Sequence, residues 1–188
     1  IPVKDIYIEF KNSAIKGDVR DAVHGSNSAT GQNSKPTIEV DSWAHVIRQP
    51  KSASASTSGG HTSERCEHEE MTFVKDIDSS SPKLWQAASQ GLVTPEVEIT
   101  FYRASGQTGS FNTGTANARV KYLVIKLKNV LVSSVSPSVT EEGIPKETFG
   151  LKYSSVEWAY SASKLDGSQG SVTGTGAWNL ATNTATFS

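Results

Sequence analysis

The feature that most constrains this chain is a two-residue alternation of apolar and polar side chains. A strand presents successive residues to opposite faces, whereas a helix returns to one face every three or four. In "DIYIEF" Ile6, Ile8 and Phe10 share one face, and in "EVEITF" Val97, Ile99 and Phe101 do the same. In "VKYLVIKLKNVLV" Leu123, Ile125 and Leu127 face away from Lys126 and Lys128. Such segments read as half-buried antiparallel strands. Thr37 to Gln49, Thr62 to Ile77, Thr148 to Ser161, Val172 to Leu180 and a short tail from Asn183 to Phe187 are further candidates. The chain is therefore expected to be mainly β.

One helix interrupts the strands. In "SSSPKLWQAASQG" Ser81 is the expected cap, Pro82 the first helical residue and Gly91 the stop, giving a short helix over about Pro82 to Gln90. Leu84, Trp85 and Ala88 fall at helical spacing, so this helix should lie on an apolar barrel end or sheet face. Three stretches between strands, His24 to Lys35, Pro50 to Gly60 and Ala104 to Ala118, are too poor in apolar residues to order themselves and read as long hairpin loops. A length of 188 residues suits a single domain over 1–188, able to bury about 70% of the surface of its unfolded chain.

Charge and cysteine usage exclude several function classes. With 18 basic and 19 acidic residues the net charge is -1, so nothing argues for a nucleic-acid partner or an anionic membrane surface. The single cysteine, Cys66, cannot form an internal disulfide and fits a reducing compartment. No run reaches the roughly 20 apolar residues that span a bilayer. "IPVKDIYIEF" enters a strand pattern without a charged leader and apolar core, so no signal peptide is expected in these residues.

The stretch "HTSERCEHEEM", His61 to Met71, concentrates two histidines, the cysteine and four glutamates. Cys66 and His68 would share a face on a strand, and zinc accepts both ligand types. Yet the spacing is not a recurrent pair motif and no second cluster supplies the remaining ligands. On a strand continuing into "TFVKDI", Glu64, Cys66, His68 and Glu70 would line one face, with Arg65, Glu67, Glu69, Met71 and Phe73 on the other. Carboxylates on both faces suit a wall that is wet on both sides, and a structural wall strand is the expected role. No Gly-x-Ser-x-Gly elbow supports a serine hydrolase. "GQTGSFNTG" lacks the Gly-Lys-Ser/Thr of a phosphate loop. Trp43, Trp85, Trp158 and Trp178 are scattered over separate elements, as aromatic core residues are.

The order of these features resembles the Hcp family, the haemolysin-coregulated proteins of the type VI secretion system inner tube. The resemblance runs from about Asp5 to about Leu180. It rests on "IRQPKSASASTSGGHTSERCEHEEMTFVKDID", "SPKLWQAASQG", "VEITFYRA", "YLVIKLKNVLVSSVSP" and "LKYSSVEWAY", in that order. It implies a small antiparallel β-barrel of two sheets with one short α-helix, closing into homohexameric rings that stack into an expelled tube and carry effectors in the lumen. It implies no active site and no cofactor. It makes Lys51, Ser52, Ala53, Ser54, Ala55, Ser56, Thr57, Ser58, Gly59 and Gly60 the ring-stacking loop, and sets Pro82, Lys83, Leu84, Trp85 and Gln86 on the channel side. Implied partners are further copies of the chain, the spike tip protein, the contractile sheath and secreted effectors. The implied location is the bacterial cytoplasm during assembly, then the medium or a target cell, with export by the family's own machine accounting for a missing leader. The loops at His24 to Lys35 and Ala104 to Ala118 look enlarged relative to shorter members. Two competing readings are a metal-dependent enzyme using His61, Cys66 and His68, and a barrel binding a small ligand in its own lumen. Elemental analysis separates the first from a tube protein, and size in solution separates the second.

Overall fold

The computed structural model describes residues 5–18, 37–50, 65–104, 119–141, 143–164 and 169–188. Eleven strands and one helix follow in chain order. They are β1 (Ile6–Phe10), β2 (Thr37–Val40), β3 (Ser42–Ala44), β4 (Ile47–Arg48), β5 (Glu67–His68), β6 (Met71–Asp76), α1 (Ser81–Gln90), β7 (Val93–Ala104), β8 (Arg119–Ser138), β9 (Lys146–Lys152), β10 (Ser155–Ser163) and β11 (Gln169–Asn179). All pairings are antiparallel. The fold is mainly β with one helix and two sheets, as expected, and the three predicted hairpin loops fall almost wholly outside the described residues.

The expected barrel takes a particular form. The large sheet runs in the order β2-β1-β7-β8-β9-β6-β3, with β10 and β11 attached through β8. It is not closed as one uninterrupted ladder. Its two end strands, however, are consecutive in the chain and separated only by Asp41, whose N–H donates to the Val74 carbonyl at 2.7 Å. One segment thus pairs with β1 through Ile38 and with β6 through Trp43, and the bend at Asp41 joins the ends of the path covalently. Lys146 braces the bend, its Nζ lying 2.6 Å from Asp41 and 2.7 Å from Asp76.

The core fills the inside of this curl. Ile8, Phe10, Ile38, Phe73, Val97, Ile99, Ile125, Leu127 and Phe149 are fully or almost fully buried, and the Phe73 and Phe149 rings stack with centroids 5.0 Å apart. The alternation read from β1, β7 and β8 places its residues inside, apart from Ile6 and Leu123, which are half-buried against the core. An interior packed with apolar side chains is core rather than a ligand lumen.

Several expected strands divide where a strand must change partners. Thr37 to Gln49 becomes β2, β3 and β4, and Thr148 to Ser161 turns at Tyr153 and Ser154 into β9 and β10. Thr62 to Ile77 becomes β5 and β6, with Thr62 to Glu64 outside the described residues. Between β5 and β6 the alternation slips by one. Cys66, His68 and Glu70 are half-buried while Arg65, Glu67 and Glu69 are exposed, and then Met71, Phe73 and Lys75 are buried. A continuous strand would have put Met71 and Phe73 on the face of Glu67 and Glu69, so the slip lets two glutamates reach water and two apolar residues reach the core. The tail Asn183 to Phe187 forms a single bridge, Asn179 to Thr184, rather than a strand.

The strand β8 serves three neighbours by bending. It pairs with β7 from Arg119 to Leu131, with β10 as far as Lys128, and with β9 from Leu131. At the crossover Asn129 adopts a left-handed conformation, φ 51°, and its Nδ2 donates to Ser154 Oγ at 3.0 Å in the β9–β10 turn. Asparagine tolerates that conformation better than most residues.

The helix departs from expectation at its start and on its face. Its N-cap is Ser80 rather than Ser81, and Pro82 is preceded by one helical residue. Gly91, at φ 65°, ends it as expected. The buried stripe is Ser81, Leu84 and Ala87, with Ala88 half-buried and Trp85 36% exposed. Spacing alone does not choose between adjacent stripes, and a polar tether holds Trp85 at the rim.

Candidate functional site

Ser81, the first helical residue, sits on a buried charged cluster. Lys75 continues the inward parity of Met71 and Phe73 on β6, and Glu147 that of Phe149 and Leu151 on β9, so the two charges meet inside. Lys75 Nζ lies 2.6 Å from Glu147 Oε1 and 2.8 Å from Asp78 Oδ1, with both members of the first pair fully buried. Buried charges are tolerated when paired and hydrogen-bonded, and this pair is both. Ser81 Oγ donates to Glu147 Oε1 at 2.6 Å, and Trp85 Nε1 donates to Oε2 at 2.7 Å. The same carboxylate therefore grips the helix at two successive turns while Leu84 and Ala87 pack beneath. Of the helix residues singled out from sequence, Leu84 is in the core, whereas Pro82, Lys83 and Gln86 are exposed, with Lys83 Nζ donating to Gln86 at 3.0 Å.

A second cluster gathers around part of the His61 to Met71 stretch. His68 on β5 and His45, just before β4, flank the buried Tyr153 of the β9–β10 turn. The Tyr153 hydroxyl lies 2.6 Å from His68 Nδ1 and 2.9 Å from His45 Nε2, and the imidazole centroids are 5.7 Å apart. Trp158 packs beside His68 with ring centroids 6.3 Å apart. Burial, then the neighbouring His68, lowers the pKa of His45 below its ordinary value, partly offset by the Glu69 main chain and carboxylate. Burial also lowers that of His68. Burial, then Cys66, pushes the Tyr153 phenol up, so it keeps its proton.

An open pocket of about 350 Å³ adjoins this cluster, walled by Ile47, Cys66, His68, Trp158 and Trp178. Of the candidate metal ligands, His61 lies outside the described residues, and Tyr153 engages His68. Among the described residues no three His, Cys, Asp or Glu side chains converge as a metal ion would need. Side-chain hydrogen bonds tie the described part of the stretch to its surroundings, Arg65 donating to the Leu180 carbonyl and His68 meeting Tyr153. Its Glu70 reaches across β9 to accept from Ser133 and Ser134 on β8.

The surface offers apolar side chains at separate places. Val46 and Ile47 project at the start of β4, Leu92 and Val93 follow the helix, and Val139 and Ile144 stand between β8 and β9 at 72% and 68% exposure. Tyr160 and Val172 are exposed on β10 and β11. Among the described residues β11 pairs only with β10, and its Ser171 to Gly176 stretch is exposed and uncharged. Monomers usually blunt such an edge with charge or proline. The residues of the proposed stacking loop, Lys51 to Gly60, lie outside the described residues, between β4 and β5 in the chain.

Comparison with known proteins gives a consistent result. The family model described as "Type VI secretion system effector, Hcp" matches residues 7–160. Protein hcp1 of Pseudomonas aeruginosa is 33% identical over 116 residues, which is 61% of this chain. The match spans 65% of that curated relative's length. Among solved structures, one described as a type six secretion system protein superposes with a TM-score of 0.77 at 24% identity, covering 98% of this chain and 100% of its own. Hcp1 from Salmonella typhimurium gives 0.67 at 23% identity, covering 97% of this chain and 98% of its own. A type VI secretion system effector from Yersinia pestis gives 0.63 at 19%, covering 93% and 99%.

Proposed function

Because the chain belongs to the Hcp family of type VI secretion proteins, we propose that it is a structural tube subunit. Its protomers close head-to-tail into six-membered rings, the rings stack, and the stack is expelled with effectors in its lumen. The observation that carries this reading is the family match over residues 7–160, in a chain whose core is fully packed and whose charged clusters brace the fold. Head-to-tail closure needs two different complementary surfaces on each protomer, and the rotation between them sets the ring number. The uncharged β11 edge and the separate apolar groups at β4, after α1 and between β8 and β9 supply surfaces of the required kind.

Within that assembly, the loop Lys51 to Gly60 makes the ring-to-ring contact, and the exposed face of α1, with Pro82, Lys83, Trp85 and Gln86, borders the channel. The loop has one charge, no large apolar side chain and two consecutive glycines, so it contributes little to a protomer's core. A two-residue turn would join its flanking strands at lower entropic cost, so its length suits a contact made elsewhere. The spike tip protein, the sheath and the exported effectors are the remaining partners. The role is non-enzymatic, and the protein is assembled in the cytoplasm before release. Light scattering on the purified protein should give a mass of about six protomers, the ring number carried over from the family for a closed head-to-tail assembly. A stable monomer at tens of micromolar would overturn the ring. Replacing Ser52 to Ser58 by an Asn-Gly turn should change stability by no more than about 1–2 kcal/mol, as surface-loop changes do. Rings should persist while stacking and release fail. Release at the parental level would make the loop a mere connector.

A further inference from the structure

The strands β4 and β5 form a ladder of only two residue pairs, Ile47 with His68 and Arg48 with Glu67, separate from the main sheet. Three of those four side chains are exposed, so little apolar burial holds the pair in place. The His45–Tyr153–His68 cluster ties it to the body. His45 enters the arm, His68 lies within it, and both bond one hydroxyl that belongs to the β9–β10 turn. We propose that this cluster is an acid-sensitive latch, which holds the β4–β5 arm on the body when both imidazoles are neutral and releases it when they take up protons.

A phenolic hydroxyl has one proton and two lone pairs. Between two neutral imidazoles it donates to the unprotonated nitrogen of one and accepts an N–H from the other, so both contacts are satisfied. When both facing nitrogens carry protons, the hydroxyl can only accept, its own proton loses that acceptor, and two cations stand with ring centroids 5.7 Å apart. Glu69 is the one anion that favours a protonated His45, through its main chain and its carboxylate, and its effect is smaller than that of burial and the neighbouring His68. On the arm, Glu69 is exposed and ion-paired with Arg48 at 3.0 Å, Glu67 is exposed, and Cys66 lies close to Tyr153. From the body, Tyr153 and Trp158 face His68, and Trp43 lies 6.4 Å from His45 between ring centroids. Both histidines hold their protons less readily when the latch is closed than the ordinary value of 6.5. The opened arm therefore binds protons in preference. The latch is fully formed above that ordinary value and weakens as the pH falls through it. The segment between β4 and β5 contains Lys51 to Gly60, so on the tube reading, on which this consequence rests, opening the arm loosens ring-to-ring contact.

Hydrogen exchange on the assembled protein tests the latch between about pH 7.5 and about pH 5, which brackets imidazole titration. After correction for the intrinsic rate, peptides covering 45–50 and 65–70 should lose protection about fivefold on acidification, the factor for one lost hydrogen bond of ordinary strength. Peptides from β7 and β8 should not. Equal protection of the arm at both pH values would overturn the latch. In Tyr153→Phe the arm should exchange at the higher level throughout. In His68→Gln, which keeps a hydrogen-bonding side chain, the pH step should shrink, and an undiminished step refutes the proposal. Should either variant misfold, the wild-type protein still decides by NMR. Arm amides should move with the midpoint of the two imidazoles, and movement in the carboxylate range instead overturns the mechanism. Electron microscopy on the same samples separates the two readings. Stacks absent at neutral pH refute the stacking role without touching arm exchange, whereas stacks intact in acid while the arm opens refute the coupling.

Discussion

Substituting Gly150 by alanine should destabilise the protein chiefly through one side chain, that of Glu70 just before β6. Gly150 on β9 lies between two irregularities, the slip between Glu70 and Met71 beside β6 and a bulge in β8 at Ser133. Glu70 crosses β9 at this glycine to reach the bulge, accepting from Ser133 Oγ and, at 3.2 Å, from Ser134 Oγ. A Cβ at position 150 would fall 2.3 Å from Glu70 Oε2 and 2.7 Å from its Cδ, distances that real Cβ atoms do not adopt. The flexible Glu70 must therefore withdraw, and its bonds to the bulge go with it. Hydrogen bonds to a charged acceptor contribute about 1.5–3 kcal/mol. Ser134 is exposed, so only the Ser133 bond counts in full. Against this, Gly→Ala lowers the entropy of the unfolded chain by about 0.4–1 kcal/mol. The net loss is about 1–2 kcal/mol, or a Tm drop of about 2–8 °C for a chain of this size. The assay is a double-mutant cycle by thermal and urea denaturation with Glu70→Ala, Gly150→Ala and the double variant. Once Glu70 is truncated, the nearest remaining obstacle to the new methyl is the Ser134 hydroxyl at 2.9 Å, an exposed side chain that can rotate aside, so the double variant should be no less stable than Glu70→Ala alone. Simple additivity of the two losses would refute the crossing-strand account.

Two further outcomes follow from the fold. Lys75→Met should cost about 3–5 kcal/mol, because it leaves Glu147 buried and uncompensated, while Lys75→Met with Glu147→Met should recover most of that loss in the same denaturation assay. Asn129→Val should lower the urea midpoint by the equivalent of about 1–3 kcal/mol, since a β-branched residue at φ 51° is strained and the bond to Ser154 is lost. Asn129→Gly should fall between that variant and the wild type.

The strands were legible in the chain because burial on one face writes a period-two pattern into the sequence, and β1, β7 and β8 carry that pattern plainly. The helix stop was legible in Gly91, whose φ of 65° suits a residue without Cβ. The ion pair at the helix start left a readable trace as well. Lys75 and Glu147 each occupy an inward parity next to phenylalanines, and a charge at such a position asks for an opposite one. Which partner answers depends on β6 lying beside β9, which brings in Glu147, 62 and 66 positions from the α1 side chains it holds. Nothing in local spacing specifies that adjacency.

The His61 to Met71 stretch shows the limit most clearly. Its composition raised a metal site, and the period-two rule assigned its faces, yet the slip between Glu70 and Met71 rotates the inward set by one residue. Local sequence determined which residues are apolar, where the chain can turn and that the product is a β-rich wall with one capped helix. The bend at Asp41, the three-partner path of β8 and the meeting of His45, His68 and Tyr153 were decided only in the folded molecule. Each depends on which strand lies alongside which, and pairing free energy is shared across segments far apart in the chain rather than held by any one of them.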